Sequence, residues 1–372
     1  MEEKHVHIVS FDIPFPANYG GVIDVYHKIL ALRAEGVSVH LHAYEYGRAR
    51  SAELQKVCES VNYYRRDVSR KFLFTKEPYI VASRASDELV NNLAADSWPV
   101  IYEGLHCTYH LNDKRLRNKK KIVRAHNVEH DYYSGLAKAE PKLFKKYYFL
   151  NEAGKLKRYE TQLRHADLVI AITPGDAVHF RKFHKNVITI PAFHTYDKIE
   201  IREGIGKYAI YHGNLSVPEN VQAASYLISR VFNDLSVQLV ITGNKPTREL
   251  KTLAAQYPNI DLKPNPSSNK ISGLIRNAHI NILPTFQSTG IKLKLLASLF
   301  GGRHCIVNSQ MVDSTGLESQ CIIADSDQEM KDQVVRMMDV PFDEAGILDR
   351  RNVLLSGFSN TLNAQRMVKE LF

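Results

Sequence analysis

Residues 283–296 read Leu283-Pro284-Thr285-Phe286-Gln287-Ser288-Thr289-Gly290-Ile291-Lys292-Leu293-Lys294-Leu295-Leu296 and carry the most information about this chain. A short apolar strand, His279 to Leu283, ends in a loop of small polar residues. The loop leads into a predicted helix whose first turn holds Gly290, Lys292 and Lys294. Free N–H groups at a helix start attract anions, and a glycine lets a phosphate approach closely. The stretch therefore predicts a phosphate site, with two solvated lysines on an ordinary helix as the alternative.

Strand and helix patterns alternate on both sides of residue 200. The first half contains apolar strand runs at 6–11, 37–44, 57–65, 99–105, 121–125, 167–173 and 187–193. The pattern restarts with runs at 208–212, 237–241, 260–263, 279–283 and 304–307. Helical patterns between them, including a long charged one from Pro141 to His165, predict parallel βαβ units. We expect an N-terminal domain at 1–200, a second domain at 201–357, and a C-terminal helix at 358–372 that is a candidate to pack back on the first domain.

The composition of the 372 residues is that of a globular protein, with 44% apolar and 24% charged residues. No apolar stretch approaches the roughly 20 residues of a membrane span, and the N-terminal sequence lacks the apolar run of a signal peptide. The cysteines lack metal-ligand spacing and are typical of reduced thiols in a cytoplasmic protein; they are Cys58, Cys107, Cys305 and Cys321. We expect the protein in the cytoplasm, and the inner face of the membrane is a further candidate location.

The net charge of +9 is unevenly placed. Residues 1–190 hold 30 Lys and Arg against 22 Asp and Glu, and residues 191–372 hold 19 against 18. The basic residues concentrate at 114–124 and 138–158. A solvated basic face, an anionic membrane surface or lipid-linked acceptor, and nucleic acid remain open as explanations. No helix-turn-helix, zinc-finger or RRM-like signature is present, so we expect no nucleic-acid partner.

Several short motifs occur along the chain in a fixed order. They are Gly20-Gly21 after the first strand, Arg124-Ala125-His126-Asn127-Val128-Glu129, Arg158-Tyr159-Glu160 ahead of Ala166-Asp167-Leu168-Val169, Gly213 to Asn220, and Gly290 to Leu296 with Gly302-Arg303. In this order they resemble the retaining GT-B glycosyltransferases, in particular bacterial members of the family 4-like group (group 1 glycosyltransferases). The resemblance implies an α/β fold of two Rossmann-like domains facing across a central cleft.

The sequence departs from the family pattern where the family binds its donor. Family members carry two glutamates, seven residues apart, that contact the donor sugar and the ribose; the matching positions are Thr289 and Ala297. Relatives also carry Arg and Lys that counter the donor phosphates, where this chain has Asn214 and Glu219. Lys292 and Lys294 are the candidates to replace them, since a diphosphate needs cationic partners.

The resemblance assigns roles to specific residues. Lys292, Lys294 and His126 are the candidate catalytic residues, the lysines for the leaving diphosphate and the imidazole for the acceptor proton. The candidate donor-binding residues are Gly20, Gly21, Gly213, Asn214, Gly243, Asn244, Pro264, Asn265, Thr289, Gly290 and Ile291. The candidate acceptor-binding residues are Glu103, Asn127 and Glu129. Ordinary turn chemistry is the alternative for the glycines, and a structural histidine is the alternative for His126.

The leading hypothesis is a metal-independent retaining glycosyltransferase that moves a sugar from a UDP- or GDP-sugar to a glycan or lipid-linked acceptor. The nucleotide sugar is a substrate, so no cofactor and no metal are expected. Three alternatives stay open: a catalytically impaired relative that binds a glycan or a partner, a nucleotide-sugar epimerase, and, most remotely, a nucleic-acid binder. Turnover of a nucleotide sugar without an acceptor would distinguish the epimerase.

Overall fold

The computed structural model describes residues 3–140, 142–286 and 292–372. The chain forms two compact units. Unit 1 comprises Met1–Thr195 together with Phe358–Phe372, and unit 2 comprises Tyr196–Gly357. Each unit has its own parallel sheet with helices, so the α/β prediction is confirmed.

Unit 1 contains a seven-stranded sheet. Its strands are β1 (Lys4–Ser10), β2 (Val37–Glu45), β3 (Ser60–Arg65), β4 (Val100–Glu103), β5 (Lys121–Ala125), β6 (Leu168–Ala171) and β7 (Val187–Thr189). The spatial order is β3-β2-β1-β4-β5-β6-β7, and every neighbouring pair is parallel. The strand order therefore reverses between β1 and β4.

Helices cover both faces of this sheet. They are α1 (Gly20–Ala34), α2 (Ala52–Val57), α3 (Tyr79–Ala82), α4 (Asp87–Leu93), α5 (Glu129–Ala139), α6 (Leu143–Tyr159) and α7 (Pro174–Phe180). Successive strand residues point to opposite faces, so the strands contribute side chains to two separate apolar clusters. Ile8 and Ile101 belong to one cluster, and Val9 and Tyr102 to the other. Burial on both faces explains the continuous apolar runs in the sequence.

Unit 2 repeats the arrangement with six parallel strands. They are β8 (Ala209–His212), β9 (Leu239–Gly243), β10 (Ile260–Pro264), β11 (Ile280–Leu283), β12 (His304–Val307) and β13 (Ile322–Ile323), in the order β10-β9-β8-β11-β12-β13. Its helices are α8 (Pro218–Tyr226), α9 (Arg248–Ala254), α10 (Ser268–Asn277), α11 (Leu293–Gly301), α12 (Ser309–Val312), α13 (Asp327–Met338) and α14 (Glu344–Gly357). The strand order reverses between β8 and β11.

The last helix, α15 (Asn360–Leu371), belongs to unit 1. It packs on α1 and buries Ala364, Met367 and Leu371 in the apolar cluster that contains Ile29 of α1. Unit 1 is thus assembled from two stretches of sequence separated by the whole of unit 2. No helix of the described residues is long and apolar enough to span a bilayer.

Two expectations about helices differ from the structure. The charged segment expected to be helical from Pro141 to His165 is helical from Leu143 to Tyr159 and then tightens into a 3₁₀ turn, Glu160–His165. Helix α14 has no counterpart among the sequence-based expectations, because its apolar residues do not share one face. It is held instead by buried Arg350, which donates to the carbonyl oxygens of Gly302 and Arg303 at 2.8 and 2.6 Å.

Candidate functional site

In each unit, candidate residues lie at the carboxyl edge of the sheet where the strand order reverses. In unit 1, Gly20 opens α1 after β1, and Glu103 is the last residue of β4. In unit 2, Gly213 follows β8 and Thr285 follows β11. Open parallel sheets bind ligands at this point because the loops diverge there and leave a crevice.

A buried charge cluster lies at the reversal point of unit 1. Lys28 Nζ donates to Glu103 Oε2 at 2.8 Å and to Asp24 Oδ2 at 3.1 Å. Arg124 Nη2 donates to Asp24 Oδ1 at 2.9 Å. Burial opposes ionisation of Asp24, but Arg124 and Lys28 outweigh it and hold the pKa of this carboxyl below its usual range. Each carboxylate faces a cation, so the cluster neutralises itself.

His126 is attached to this cluster. Its Nε2 lies 2.9 Å from Glu103 Oε2, and the edge of the ring meets Phe11 at a centroid distance of 5.4 Å. Since a carboxylate accepts, Nε2 carries the proton and Nδ1 is left with the free lone pair. The side chain is only 9% exposed. The structure therefore brings the candidate catalytic His126 and the candidate acceptor residue Glu103 together as an oriented pair.

The two glycines at the start of α1 have different surroundings. A Cβ at Gly21 would lie 2.6 Å from Phe11 Cζ, whereas a Cβ at Gly20 would meet nothing within 4 Å. Gly21 thus packs beneath the ring of Phe11, and a larger residue there would displace the ring. Gly20 is exposed at the helix start, where backbone N–H groups have no helical partner and suit an anion.

Asn127 and Glu129 lie beyond β5. Glu129 is buried, and its Oε1 has no hydrogen-bond partner among the described residues. Burial raises the pKa of Glu129 to about 8, although a hydrogen bond with half-buried Asn127 opposes the shift. The nearest ring nitrogen is His106 Nδ1, at 3.9 Å from Glu129 Oε1. Glu129 therefore faces the interior next to His106.

In unit 2, the helix after β11 begins at Leu293. The expectation that its first turn holds Gly290, Lys292 and Lys294 is therefore wrong for Lys292, which caps the helix in an extended conformation. Lys292 Nζ lies 3.3 Å from Glu219 Oε1, and this carboxylate also accepts from Thr285 Oγ1 at 2.7 Å. The charge of Lys292 is thus countered within the protein.

Lys294, in the first turn of α11, has uncharged partners. Its Nζ donates to Asn220 Oδ1 at 2.6 Å, approaches Tyr211 Oη at 3.3 Å, and lies 5.2 Å from the centroid of the Tyr211 ring. Burial and the neighbouring Lys292 lower the pKa of Lys294 to about 8, and Glu219 opposes the shift. A poorly hydrated ammonium without a paired carboxylate is suited to an anionic ligand.

Three loops of unit 2 meet at the carboxyl edge of the sheet, after β8, β9 and β10. A Cβ at Gly243 would lie 1.7 Å from the carbonyl oxygen of Gly213, so only glycine permits this approach. Pro264 pairs with Gly243 in the sheet, and Asn265 N donates to Gly243 O at 2.9 Å. The structure thus brings together four of the predicted donor-binding residues.

The asparagines of these loops are used differently. Asn265 adopts a φ of 49° and accepts from Lys245 N at 2.8 Å through Oδ1. Asn214 Oδ1 accepts from Ser216 N at 3.1 Å, which ties the amide into its own turn. Asn244 is exposed at the end of β9. Turn chemistry therefore accounts for Asn265 and Asn214. The predicted donor residues Thr289, Gly290 and Ile291 lie outside the described residues.

Sequence reasoning missed several residues that complete these sites. Asp24 and Lys28 interrupt the apolar face of α1, four residues apart, and two charged residues on a buried helix face were an available signal. Asn220 ends the motif that begins at Gly213, but neither Asn220 nor Tyr211 was assigned a role, because their contacts with Lys294 depend on the helix start that faces them.

Comparisons with known proteins give relatives in sequence and in structure. No protein-family profile matches the chain. An uncharacterised 44.6 kDa protein in the cps region of Klebsiella pneumoniae is 27% identical over 347 residues, which cover 86% of this chain and 87% of that protein. Among solved structures, TarM matches with a TM-score of 0.68 at 9% identity, over 99% of this chain and 98% of TarM. The chain has the GT-B fold.

Other structures with the GT-B fold match at similar levels. The UDP-forming α,α-trehalose-phosphate synthase of Burkholderia xenovorans, solved with glucose-6-phosphate, matches with a TM-score of 0.64 at 11% identity, over 99% of both chains. A mutant of S. aureus TarM has been solved with fondaparinux, α-GlcNAc-glycerol and UDP. The resemblance of the sequence to GT-B proteins is thus confirmed at the level of the fold.

Proposed function

We propose that this protein transfers a sugar from a nucleotide-sugar donor, a UDP- or GDP-sugar, to a glycan or lipid-linked acceptor, with retention and without a metal ion. The observation that carries the proposal is Lys294, a half-buried ammonium whose hydrogen-bond partners among the described residues are uncharged, at the strand-order reversal of unit 2. The GT-B fold supports a transferase, and the sequence motifs support retention.

On the donor side, the leaving diphosphate gains negative charge as the glycosidic bond breaks. Lys294 supplies a positive charge whose hydration is already reduced, so its interaction with the diphosphate is strong. Gly243 packs directly against the carbonyl oxygen of Gly213, and this close contact holds the loops after β8 and β9 together at the sheet edge where a nucleotide would bind. UDP in the TarM complex and the UDP-forming reaction named for the trehalose-phosphate synthase favour uridine as the donor nucleoside.

On the acceptor side, His126 would accept or orient the proton of the attacking hydroxyl. Glu103 fixes the Nε2–H tautomer and leaves Nδ1 as the basic atom. Lys28 holds Glu103 in place from the other side. This arrangement positions a base without placing a free carboxylate at the reaction centre.

A surface on α6 supports a lipid-linked acceptor. Leu143, Phe144 and Tyr147 are 83%, 85% and 72% exposed, which is unusual for such large apolar side chains. Exposed lysines flank them: Lys142, Lys145 and Lys146. Exposed apolar rings with adjacent cations are typical of helices that lie on an anionic bilayer. We expect co-sedimentation with phosphatidylglycerol vesicles that Phe144→Glu abolishes and Val178→Glu, an exposed position on α7, leaves intact.

One observation favours a second candidate, a catalytically impaired relative that binds a glycan or a partner. Glu219 occupies a position where members of the resembled family carry a cation, and it lies beside Lys292. The negative charge of this carboxylate would repel a bound diphosphate. The absent carboxylates at positions 289 and 297 point the same way.

The deciding experiment is calorimetric titration with UDP, GDP, ADP, CMP and dTDP, each followed by its common sugar conjugate. At one hundred times its dissociation constant, the true donor nucleotide should stabilise the fold by about 2.7 kcal/mol. Lys294→Met should weaken binding, and Lys251→Ala, at an exposed lysine of α9, should not. The absence of binding and of sugar hydrolysis for every nucleotide would favour the second candidate. An isomeric sugar formed without acceptor would identify an epimerase.

A further inference from the structure

Three helical segments of unit 1 bring two histidines and a glutamate together. His130 lies on α5, Glu160 follows the end of α6, and His179 lies on α7. His130 Nδ1 is 2.7 Å from Glu160 Oε1, and His179 Nε2 is 3.0 Å from Glu160 Oε2. One ligand atom from each of the three residues lies within 4.8 Å of the others. The glutamate therefore bridges two imidazoles that belong to different helices.

This cluster lacks the cations that neutralise the other acidic cluster of unit 1. There, Lys28 and Arg124 pair with Glu103 and Asp24. Around Glu160, whose side chain is 2% exposed, the only ion pairs among the described residues are those with the two histidines. Asp131 adds a further carboxylate at 3.4 Å from His130 Nε2.

A neighbouring buried carboxylate points to a missing ligand. Glu129 is 3% exposed, and its Oε1 has no hydrogen-bond partner among the described residues. Glu129 and Glu160 line the same cavity of about 10 Å³, which is the size of one water molecule. The rest of the cavity lining is mostly apolar, and a buried polar atom without a partner is costly, so Glu129 Oε1 calls for a hydrogen-bond partner such as a water.

We propose that His130, Glu160 and His179 form a Zn²⁺ site. Imidazole nitrogen and carboxylate oxygen are zinc ligands, with bonds of about 2.0–2.2 Å that place the ligand atoms of a tetrahedron roughly 3.4 Å apart. On binding, His130 Nδ1 and His179 Nε2 would be unprotonated, and each neutral ring would carry its one proton on the other nitrogen after exchange with solvent. The cavity beside Glu129 would hold a water as fourth ligand, with Glu129 Oε1 accepting its hydrogen bond. The ion would tie α5, α6 and α7 together and has no part in the proposed sugar transfer.

The test uses full-length protein purified without a metal column, stripped with EDTA and titrated with ZnCl₂ in a calorimeter. One Zn²⁺ per chain should bind, and native mass spectrometry should show the same stoichiometry. Glu160→Gln and His179→Ala should each weaken binding at least about 100-fold, since even outer-shell partners contribute about 10–100-fold. His165→Asn is the matched control, because His165 lies on the 3₁₀ turn of Glu160 but outside the cluster.

Three results would overturn the site. They are a folded unaltered chain that binds no Zn²⁺, a His179→Ala chain that binds as tightly as the unaltered one, and MgCl₂ binding as well as ZnCl₂. Magnesium prefers oxygen ligands, so equal binding would rule out the imidazoles. His179 is 18% exposed at its side chain, so His179→Ala is expected to fold even if Glu160→Gln does not.

Discussion

The candidate site of unit 1 and the candidate site of unit 2 differ in how their charges are balanced. In unit 1, Asp24 and Glu103 meet Lys28 and Arg124 inside the protein, and all four side chains are at most 1% exposed. In unit 2, the hydrogen-bond partners of Lys294 within the described part of the chain are an amide and a phenol. The first arrangement is complete without a ligand and fixes a geometry. The second is incomplete, and its unbalanced charge is available to a substrate.

The comparison implies that the two sites have different roles, which substitutions can distinguish. Changes in the unit 1 cluster should alter catalysis or stability and leave nucleotide affinity unchanged. Changes around Lys294 should alter nucleotide affinity first. Four predictions follow this contrast, beginning with the largest effect.

His126→Ala should lower kcat about 100–10,000-fold, because it removes the proposed acceptor base. Steady-state kinetics with the nucleotide sugar found by calorimetry would measure the loss. UDP or GDP affinity should not change, and this serves as the internal control. A kcat near that of the unaltered protein would show that His126 is structural.

Arg124→Met should destabilise unit 1 by about 3–5 kcal/mol, because it leaves a buried carboxylate with one cation fewer. Trp98 is the single tryptophan and lies in unit 1, so urea unfolding followed by its fluorescence reports on this unit. Arg115→Met is the matched control, since Arg115 pairs with Asp87 and Asp113 at the surface and should change stability little. Equal midpoints for the two variants would contradict a tightly coupled cluster.

Nucleotide affinity should fall as the pH rises through about 8, by up to about tenfold per pH unit, because Lys294 must then take up a proton to bind an anion. Calorimetry between pH 6.5 and 9.5 would give the profile, with Lys294→Met expected to flatten it. An unfolded lysine keeps its proton to higher pH than the buried one. The free energy of unfolding should therefore rise with pH between about 8, the pKa of Lys294 in the folded protein, and 10.5, the ordinary pKa of a lysine.

Glu219→Gln should strengthen diphosphate binding by roughly twofold to fivefold, because it removes a charge that opposes the ligand and releases Lys292. The change is small since Glu219 is partly solvated. Weaker binding after this substitution would mean that Glu219 itself holds the nucleotide, through a ribose hydroxyl for example. Asn214→Asp, at the exposed turn nearby, should act in the opposite direction.

The parallel sheets could be predicted from sequence, because buried strands produce continuous apolar runs. The expected limits of β5 and β12 coincide with the observed ones. The first turn of α11 could not be placed, since a glycine and two lysines do not fix where helical hydrogen bonding begins. Helix α14 was missed because the contacts of Arg350 with the carbonyls of Gly302 and Arg303 span more than forty positions.

The sequence predicted individual residues of the candidate sites, but it did not predict which residues contact each other there. His126 and Lys294 were found from their motifs, whereas Asp24 and Arg124 are 100 positions apart and meet only in the folded unit. Glu129, expected to face the acceptor, is instead buried beside His106, because the first turn of α5 points it inward. Sequence patterns report which side chains are buried or charged, and they do not report which charges cancel.

The placement of α15 in unit 1 has a consequence for biosynthesis. A ribosome releases residues 196–357 before it releases the helix that covers α1, so unit 2 has all of its chain while unit 1 still exposes the apolar surface around Ile29. Domains generally fold as units during synthesis. We therefore expect unit 2 to be the first to mature, and a released chain truncated after Gly357 to hold a protease-resistant second unit and a sensitive first one.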